Sequence, residues 1–138
     1  MKSKAYIAIK GTQKSESGKN VIDFRTDGEF EIKNGAYFIY YDETDEKNKK
    51  TETVIRATAD SLSLKRVGGV SETMMLRKNE RHMMQLGTEA GDLIFGVNTK
   101  DLSCRLGEKG GKITVKYDLE YNSSLMSEHG LSITVTKR

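Results

Sequence analysis

The stretch NVIDFRTDGEFEIK, residues 20–33, decides the fold of this chain. Apolar or small residues occupy every second position from residue 22 to residue 32, and charged residues occupy the positions between them. This alternation is typical of a long β-strand with one face in a core and the other face in water. Gly28 falls on the inner face, where the missing side chain allows a sharp bend or the close approach of another strand. A bent strand with one wet face predicts a closed or strongly coiled antiparallel sheet.

The segments on either side of this stretch have the same character. Asn34 and Gly35 form a strong hairpin signal, which returns the chain along residues 36–43, AYFIYYDE. Further alternating segments, separated by short polar or glycine-containing turns, bring the count to about ten strands. These segments lie at residues 5–12, 51–58, 62–67, 91–106, 112–122 and 131–135, with a returning loop expected at residues 122–130.

Residues 71–88, SETMMLRKNERHMMQLGT, allow two interpretations. The segment is rich in helix formers, so an amphipathic helix is one of them. Its apolar residues give a poor stripe at helical spacing, however, and residues 78–80 have the character of a turn. We therefore predict two strands here, with His82 and Met84 directed inward on the second.

The organisation of the whole chain predicts an all-β fold. Short antiparallel connections, 13 glycines and no proline suit many tight turns. We predict one antiparallel up-and-down β-barrel that forms a single domain over residues 1–138. A β-sandwich is the alternative that the same alternation permits. A chain of 138 residues can bury enough surface to fold without a disulfide or a metal.

Composition limits the compartment and the partners. The single cysteine, Cys104, excludes an internal disulfide and fits a reducing compartment. The first residues lack an apolar run of signal-peptide length and no segment has transmembrane length, so we expect a cytoplasmic protein that does not bind membranes. The formal charge of +3 comes from 23 basic and 20 acidic residues interspersed along the chain. A nucleic-acid binder usually gathers its basic residues in a stripe, so the sequence argues against nucleic acid as a partner.

Several segments, taken in order, resemble a known family of bacterial proteins. They read IxIKGxQ at residues 7–13, VIDFRTDGEFEI, AYFIYYDE, LKRVGGV, AGDLIFGVNTKDL, GKITVKYDLEYN and LSITVTKR. Together they resemble the YwiB-like family of uncharacterised proteins, over about residues 7–135. The resemblance implies a cytoplasmic barrel of the calycin (lipocalin-like) type, and it offers no catalytic motif or cofactor site to transfer. The methionines at residues 74–75 and 83–84 depart most from the family pattern.

Arg66 is the most informative single candidate for a site. It shares a register with Leu62, so an inward face would bring its guanidinium into the barrel. A buried arginine requires a carboxylate or several acceptors. Asp42, in register with Tyr40, is the predicted partner, and this gives a head-group site for an anionic ligand, helped by Tyr40 and Thr99. The alternative places Arg66 at a strand end with its charge in water.

Tyrosines and histidines supply the remaining candidates. Tyr117 could line a pocket with its ring and hydroxyl, although tyrosines also pack well on the outer face of a sheet. His82 could hold haem if it points inward, but two distant histidines and one cysteine lack the spacing of a zinc site. We therefore expect no metal and no cofactor. His129, which follows Ser127 and Glu128, is expected in a solvated loop.

Three classes of function remain, and none of them is enzymatic, because no nucleophile elbow or phosphate-binding loop is present. The first is a barrel that binds a small, partly apolar or anionic molecule in its interior. The second is a protein–protein interaction module or homodimer, and the third is a single-stranded nucleic-acid binder. Fold analogy favours the first class. Its predicted ligand-binding residues are Tyr40, Asp42, Arg66, His82, Thr99 and Tyr117.

Overall fold

Ten antiparallel strands account for most of residues 2–138, the part of the chain that the computed structural model describes. The strands are β1 (Ser3–Ser15), β2 (Gly18–Lys33), β3 (Ala36–Thr44), β4 (Lys50–Ala57), β5 (Ser61–Gly68), β6 (Ser71–Arg77), β7 (Arg81–Thr88), β8 (Gly91–Gly107), β9 (Gly110–Tyr121) and β10 (Ser124–Lys137). Each strand pairs with the next one along the chain, and β10 pairs with β1, so the sheet closes into a barrel. The predicted all-β antiparallel barrel is confirmed, and the sandwich alternative is wrong.

Local sequence explains most of the turns. Asn34 and Gly35 have φ values of 52° and 77°, the left-handed conformation that a tight hairpin turn requires. Residues 71–88 form β6 and β7, as predicted, and no helix is present among residues 2–138. The loop expected at residues 122–130 is wrong, because β10 already begins at Ser124. A register shift between Leu125 and Ser127 interrupts the alternation of inward and outward residues at the start of β10, so the sequence pattern there does not indicate a strand.

The turns between the strands lie at the two ends of the barrel. The start of β1, the end of β10 and the turns at residues 34–35, 58–60, 78–80 and 108–109 lie at one end, which we call the closed end. The turns at residues 16–17, 45–49, 69–70, 89–90 and 122–123 lie at the other, which we call the open end.

The core is dominated by aliphatic side chains that are no more than 2% exposed: Ile7, Ile39, Ile55, Leu62, Leu76, Val97, Ile113, Val115 and Ile133. Burial of each such side chain contributes about 1.5–3 kcal/mol.

Gly28 lies where β2 leaves β3. The two strands pair only from Glu29 to Lys33 on β2, whereas β1 pairs with β2 as far as Gly18. A Cβ atom on Gly28 would overlap the Tyr40 carbonyl oxygen and would lie 2.5 Å from Cδ1 of Ile7. The early part of β2 consequently has a partner on one side only. Ile22, expected in the core, is therefore 59% exposed.

The pairing between β6 and β7 is also short. Their register pairs end at Thr73 and Gln85, although β6 continues along β5 and β7 continues along β8. Met74 and Met84 face inward beside this seam and are 4% and 6% exposed, so they belong to the core. Met83 points outward and is 58% exposed.

We expect Gly28→Ala to lower the free energy of unfolding by about 2 kcal/mol or more, because the added methyl overpacks a contact between two strands. Urea unfolding followed by circular dichroism measures the change. Gly107→Ala is the matched control, since a Cβ there meets no atom within 4 Å and its backbone needs no positive φ. Equal midpoints for the two variants would contradict the role given to Gly28.

Candidate functional site

A row of inward-facing residues crosses the barrel near its open end. Each residue lies directly opposite the next on the neighbouring strand, from β3 to β8: Tyr41, Thr53, Arg66, Glu72, Leu86 and Leu93. The first four are polar, and the last two are apolar. Polar residues at inward positions are costly unless they are paired, so this row is the first place to look for a site.

Arg66 is the centre of this row. Its Nη2 atom lies 2.9 Å from Oε2 of Glu43, and its Nη1 atom lies 3.3 Å from Oε2 of Glu72. The side chains of Arg66, Glu43 and Glu72 are 22%, 31% and 17% exposed, so solvent reaches all three from the open end. The three groups carry a formal charge of −1, one guanidinium against two carboxylates. We call Tyr41, Glu43, Thr53, Arg66 and Glu72 the interior polar cluster.

The expected pairing of Arg66 with Asp42 is wrong. Ile39 and Tyr41 are the buried residues of β3, which places Tyr40 and Asp42 on the outer face. Asp42 forms an ion pair at 3.4 Å with Lys50. Tyr40 donates a hydrogen bond of 2.9 Å to Oε1 of Glu31, on the outer face of β2. β3 is apolar on both faces, so alternation could not decide which tyrosine points inward.

The other three predicted residues occupy the interior register. Thr99 and Tyr117 lie directly opposite each other on β8 and β9. Thr99 is 3% exposed, and Tyr117 packs against the hydrophobic core. His82 shares the inner face of β7 with Met84 but lies beside the turn at the closed end, where its Nε2 atom is 3.1 Å from Oε1 of Glu80. His82 therefore lies near the closed end and does not belong to the interior polar cluster.

His129 is a site residue that the sequence analysis missed. It belongs to β10, not to a solvated loop, and its ring stacks on Tyr117 with centroids 4.8 Å apart. Its Nε2 atom lies 2.7 Å from Oγ of Ser127. The inward series at residues 127, 129, 131, 133 and 135 would have revealed this position if the alternation of β10 had been extended past Gly130.

Burial changes the acidity of three interior groups. It raises the pKa of Tyr41 to about 12, with a further contribution from Glu43. It likewise raises the pKa of Tyr117 to about 12, and the carboxylate of Glu72 adds to this shift. Burial lowers the pKa of His129 below its ordinary value of 6.5 and outweighs the opposing effect of Asp118. At neutral pH the interior therefore holds neutral phenols and a neutral imidazole.

Two buried polar atoms in the described residues have no hydrogen-bond partner, Nε of Arg66 and Oγ1 of Thr99. Buried polar atoms are nearly always paired in folded proteins, so these two are positions where a polar group that enters the interior can bond. Arg66 Nε can only donate, whereas the Thr99 hydroxyl can donate or accept. The buried Thr53 hydroxyl interacts with Tyr41, which lies directly opposite it. Among residues 2–138 no group of three or more His, Cys, Asp or Glu side chains is arranged to hold a metal ion.

Apolar side chains surround the approach to the interior polar cluster. Leu93 and Tyr121 are 38% and 43% exposed although both lie on the inner register, and Leu86 is half-buried between Leu93 and Glu72. Tyr121 contacts Phe95, with ring centroids 5.6 Å apart. We call Leu86, Leu93 and Tyr121 the apolar collar. The open end thus has an apolar rim beside a polar cluster whose three charged side chains are partly exposed.

The geometry defines a class of protein, a closed ten-stranded antiparallel β-barrel with polar residues inside its open end. The family model described as "Domain of unknown function (DUF1934)" matches residues 7–133, and the chain belongs to that family. It is similar to the uncharacterized β-barrel protein YwiB of Bacillus subtilis (strain 168), with 25% identity over 129 residues, 93% of this chain and 89% of that protein. The predicted resemblance to the YwiB-like family is confirmed.

A solved structure supports the same fold. The crystal structure of the ywiB protein from Bacillus subtilis superposes with a TM-score of 0.88 at 20% identity, covering 99% of this chain and 93% of that one. Among the residues that the structure describes, none lies in a helix long and apolar enough to cross a membrane.

We expect Arg66→Met to lower the free energy of unfolding by about 1–3 kcal/mol at pH 7, because it leaves two carboxylates inside the barrel without a cation. Urea unfolding at pH 7 measures the change. Arg56→Met, on the exposed face of β4, is the control and should change stability little. Equal unfolding midpoints for the two variants would contradict the charge argument.

We expect stability to fall as the pH drops from 7 through 6.5 towards 5, in part because of His129. Its folded pKa lies below the unfolded value, so the unfolded chain binds the proton first and is favoured by acid. His129→Gln should flatten this part of the profile, whereas His82→Gln should retain the slope because it keeps His129. Thermal unfolding at half-unit pH intervals measures the profiles. Parallel profiles for wild type and His129→Gln would contradict the assignment.

Proposed function

We propose that the protein is a non-enzymatic, cytoplasmic β-barrel that binds a small, partly apolar molecule in the open end of its interior. The observation that carries the proposal is the pair of buried polar atoms without a partner, Nε of Arg66 and Oγ1 of Thr99. An unpaired buried polar atom costs about 1–3 kcal/mol, and a ligand that pairs with such atoms recovers part of this cost on binding. The binding of small molecules by other barrels of this size is a supporting analogy only.

The charge of the interior polar cluster restricts the ligand. Glu43 and Glu72 already occupy both Nη atoms of Arg66, so an anionic head group would meet two carboxylates as well as one guanidinium. A neutral or cationic polar group avoids this repulsion, since its hydrogen-bond donors can face the carboxylates. An acceptor on the same group would pair with Arg66 Nε. We therefore favour a ligand with an apolar body and an uncharged or positively charged, hydrogen-bonding head.

The chemistry of the candidate nucleophiles supports a binding role over a catalytic one. Ser127 and His129 are within hydrogen-bond distance, but Ser127 is only 2% exposed and is therefore shielded from a substrate. Burial raises the pKa of the Cys104 thiol, which reduces its reactive thiolate fraction. The same free cysteine is consistent with a reducing cytoplasm.

A second candidate function rests on a separate observation. Leu125 and Met126 are 60% and 43% exposed, and they line a hollow together with residues of the β1–β2 turn at the open end. An exposed apolar pair of this kind favours contact with another protein or with a second copy of the chain.

Three ligands of equal length test the proposed function: decylamine, decanol and decanoate, each titrated below its aggregation limit into the protein while tyrosine fluorescence is recorded. We expect decanol and decylamine to bind at least about tenfold more tightly than decanoate, because a head-group repulsion of about 1.4 kcal/mol weakens binding tenfold. Leu93→Asp should weaken the binding of all three. Ile94→Asp is the matched control and should not, since Ile94 is 56% exposed on the outer face.

Two results would overturn the proposal. One is equal loss of binding in Leu93→Asp and Ile94→Asp, which would place the ligand outside the barrel. The other is a wild-type protein that binds none of the three ligands and sediments as a dimer, which would favour the second candidate function.

A further inference from the structure

A basic hollow lies on the outer face of the barrel, where β1, β9 and β10 run side by side. Its volume is about 330 Å³, and Lys14, Lys19, Lys100 and Lys116 line it above a floor at Gly130. It lies on the outside of the barrel, because Lys14, Lys19 and Lys116 occupy the outer register of their strands and Lys100 is the extra residue of a bulge in β8. Its size suits a small ligand and not a folded partner.

A missing side chain creates the depth of the hollow. Gly130 lies on β10 between Thr12 on β1 and Lys116 on β9, directly opposite both. A Cβ atom on Gly130 would lie 2.8 Å from Oγ1 of Thr12 and would partly fill the space. The Thr12 hydroxyl therefore stands at the wall of the hollow, where it can donate a hydrogen bond.

The hollow contains one pair of lysines that repel each other. Lys14 and Lys19 lie directly opposite each other across β1 and β2, and like charges in that position destabilise a sheet. On its other side Lys14 lies directly opposite Glu128 of β10. Lys100 is paired with Asp118 at 2.9 Å, whereas Lys14, Lys19 and Lys116 have no ion pair among the described residues. Glu128 is the second carboxylate that lines the hollow. Four ammonium groups against two carboxylates give a local charge of +2, most of the +3 of the whole chain.

Backbone irregularities occur on both sides of β9 near the hollow. The β8–β9 ladder shifts register between Thr99 and Asp101, which makes Lys100 the extra residue, and the β9–β10 ladder shifts between Leu125 and Ser127. Such bulges re-aim side chains and are over-represented beside functional sites. Here one of them directs Lys100 towards Asp118 at the edge of the hollow.

We infer that the basic hollow binds the phosphoryl group of a small molecule. A phosphate accepts several charge-assisted hydrogen bonds at once, and it would relieve the repulsion between Lys14 and Lys19 while Thr12 donates to a further oxygen. Asp118 and Glu128 interrupt the basic surface, and the Tyr117 ring faces the interior and cannot stack on a base. These features favour a discrete phosphate over a nucleic-acid strand, which requires a continuous basic track with aromatic platforms.

Inorganic pyrophosphate is the probe for this site, titrated into ¹⁵N-labelled protein at constant ionic strength while amide chemical shifts are recorded. We expect shifts concentrated at Lys14, Lys19 and Gly130, together with a rise in the unfolding temperature. The double variant Lys14→Gln/Lys19→Gln should bind pyrophosphate at least about tenfold more weakly than the wild type, since the loss of one charge-assisted hydrogen bond lowers the affinity by about tenfold or more. It should remain folded, because it removes the repulsion between Lys14 and Lys19 and only one exposed attraction, that of Lys14 for Glu128.

Two further variants make the test specific. Gly130→Ala keeps every charge but adds a methyl group in the hollow, and it should also weaken binding. Lys65→Gln/Lys137→Gln removes the same charge from other exposed positions, and it should bind as the wild type does. The inference is overturned if pyrophosphate shifts no amides at millimolar concentration, or if both double variants lose affinity equally. It is also overturned if a ten-nucleotide single strand binds at these lysines with steep salt dependence while pyrophosphate does not compete.

Discussion

The close contact between Gly28 and the carbonyl oxygen of Tyr40 is the constraint on which the rest of the barrel depends. It fixes the point at which β2 leaves β3, and it is available only to a residue without a side chain. After the strands part, Phe24 on β2 packs against Tyr41 on β3, with ring centroids 5.8 Å apart. Tyr41 is also the first member of the polar row that leads to Arg66. The bend therefore positions one edge of the interior polar cluster.

The aliphatic core allows the interior to contain polar groups. A buried Ile or Leu contributes about 1.5–3 kcal/mol, which is the same size as the cost of one unpaired buried polar atom. A few residues such as Ile39, Ile55 and Leu62 therefore offset the two unpaired atoms without any contribution from a ligand. The fold can tolerate the cost, but stability gives no reason for it. Ligand binding supplies such a reason, and this is why the unpaired atoms carry more weight than the presence of Arg66 inside the barrel.

The sequence predicted the strands and one hairpin well because their signals are local. Residues 20–33 alternate cleanly, and the Asn34-Gly35 turn has the backbone that this pair prefers. The orientation of β3 could not be predicted, because the sequence of a strand that is apolar on both faces does not show which face points into the barrel. Because the orientation of β3 was undetermined, Asp42 was predicted as the partner of Arg66 instead of Glu43. His129 was missed because the inward residues of β10 before Leu131 are polar, Ser127 and His129, and show no apolar alternation. Ile22 was misplaced because its exposure depends on where the pairing of β2 with β3 ends.

Ligand binding at the interior polar cluster is best tested by a high-resolution crystal structure of the freshly purified protein. We expect electron density for a small non-protein molecule inside the open end. A polar atom of that molecule should lie about 2.7–3.2 Å from Nε of Arg66, and its apolar part should contact the collar. The contradicting result is an Arg66 side chain turned out of the barrel, with Glu43 and Glu72 hydrated and the space between Tyr41 and Tyr117 filled by protein side chains.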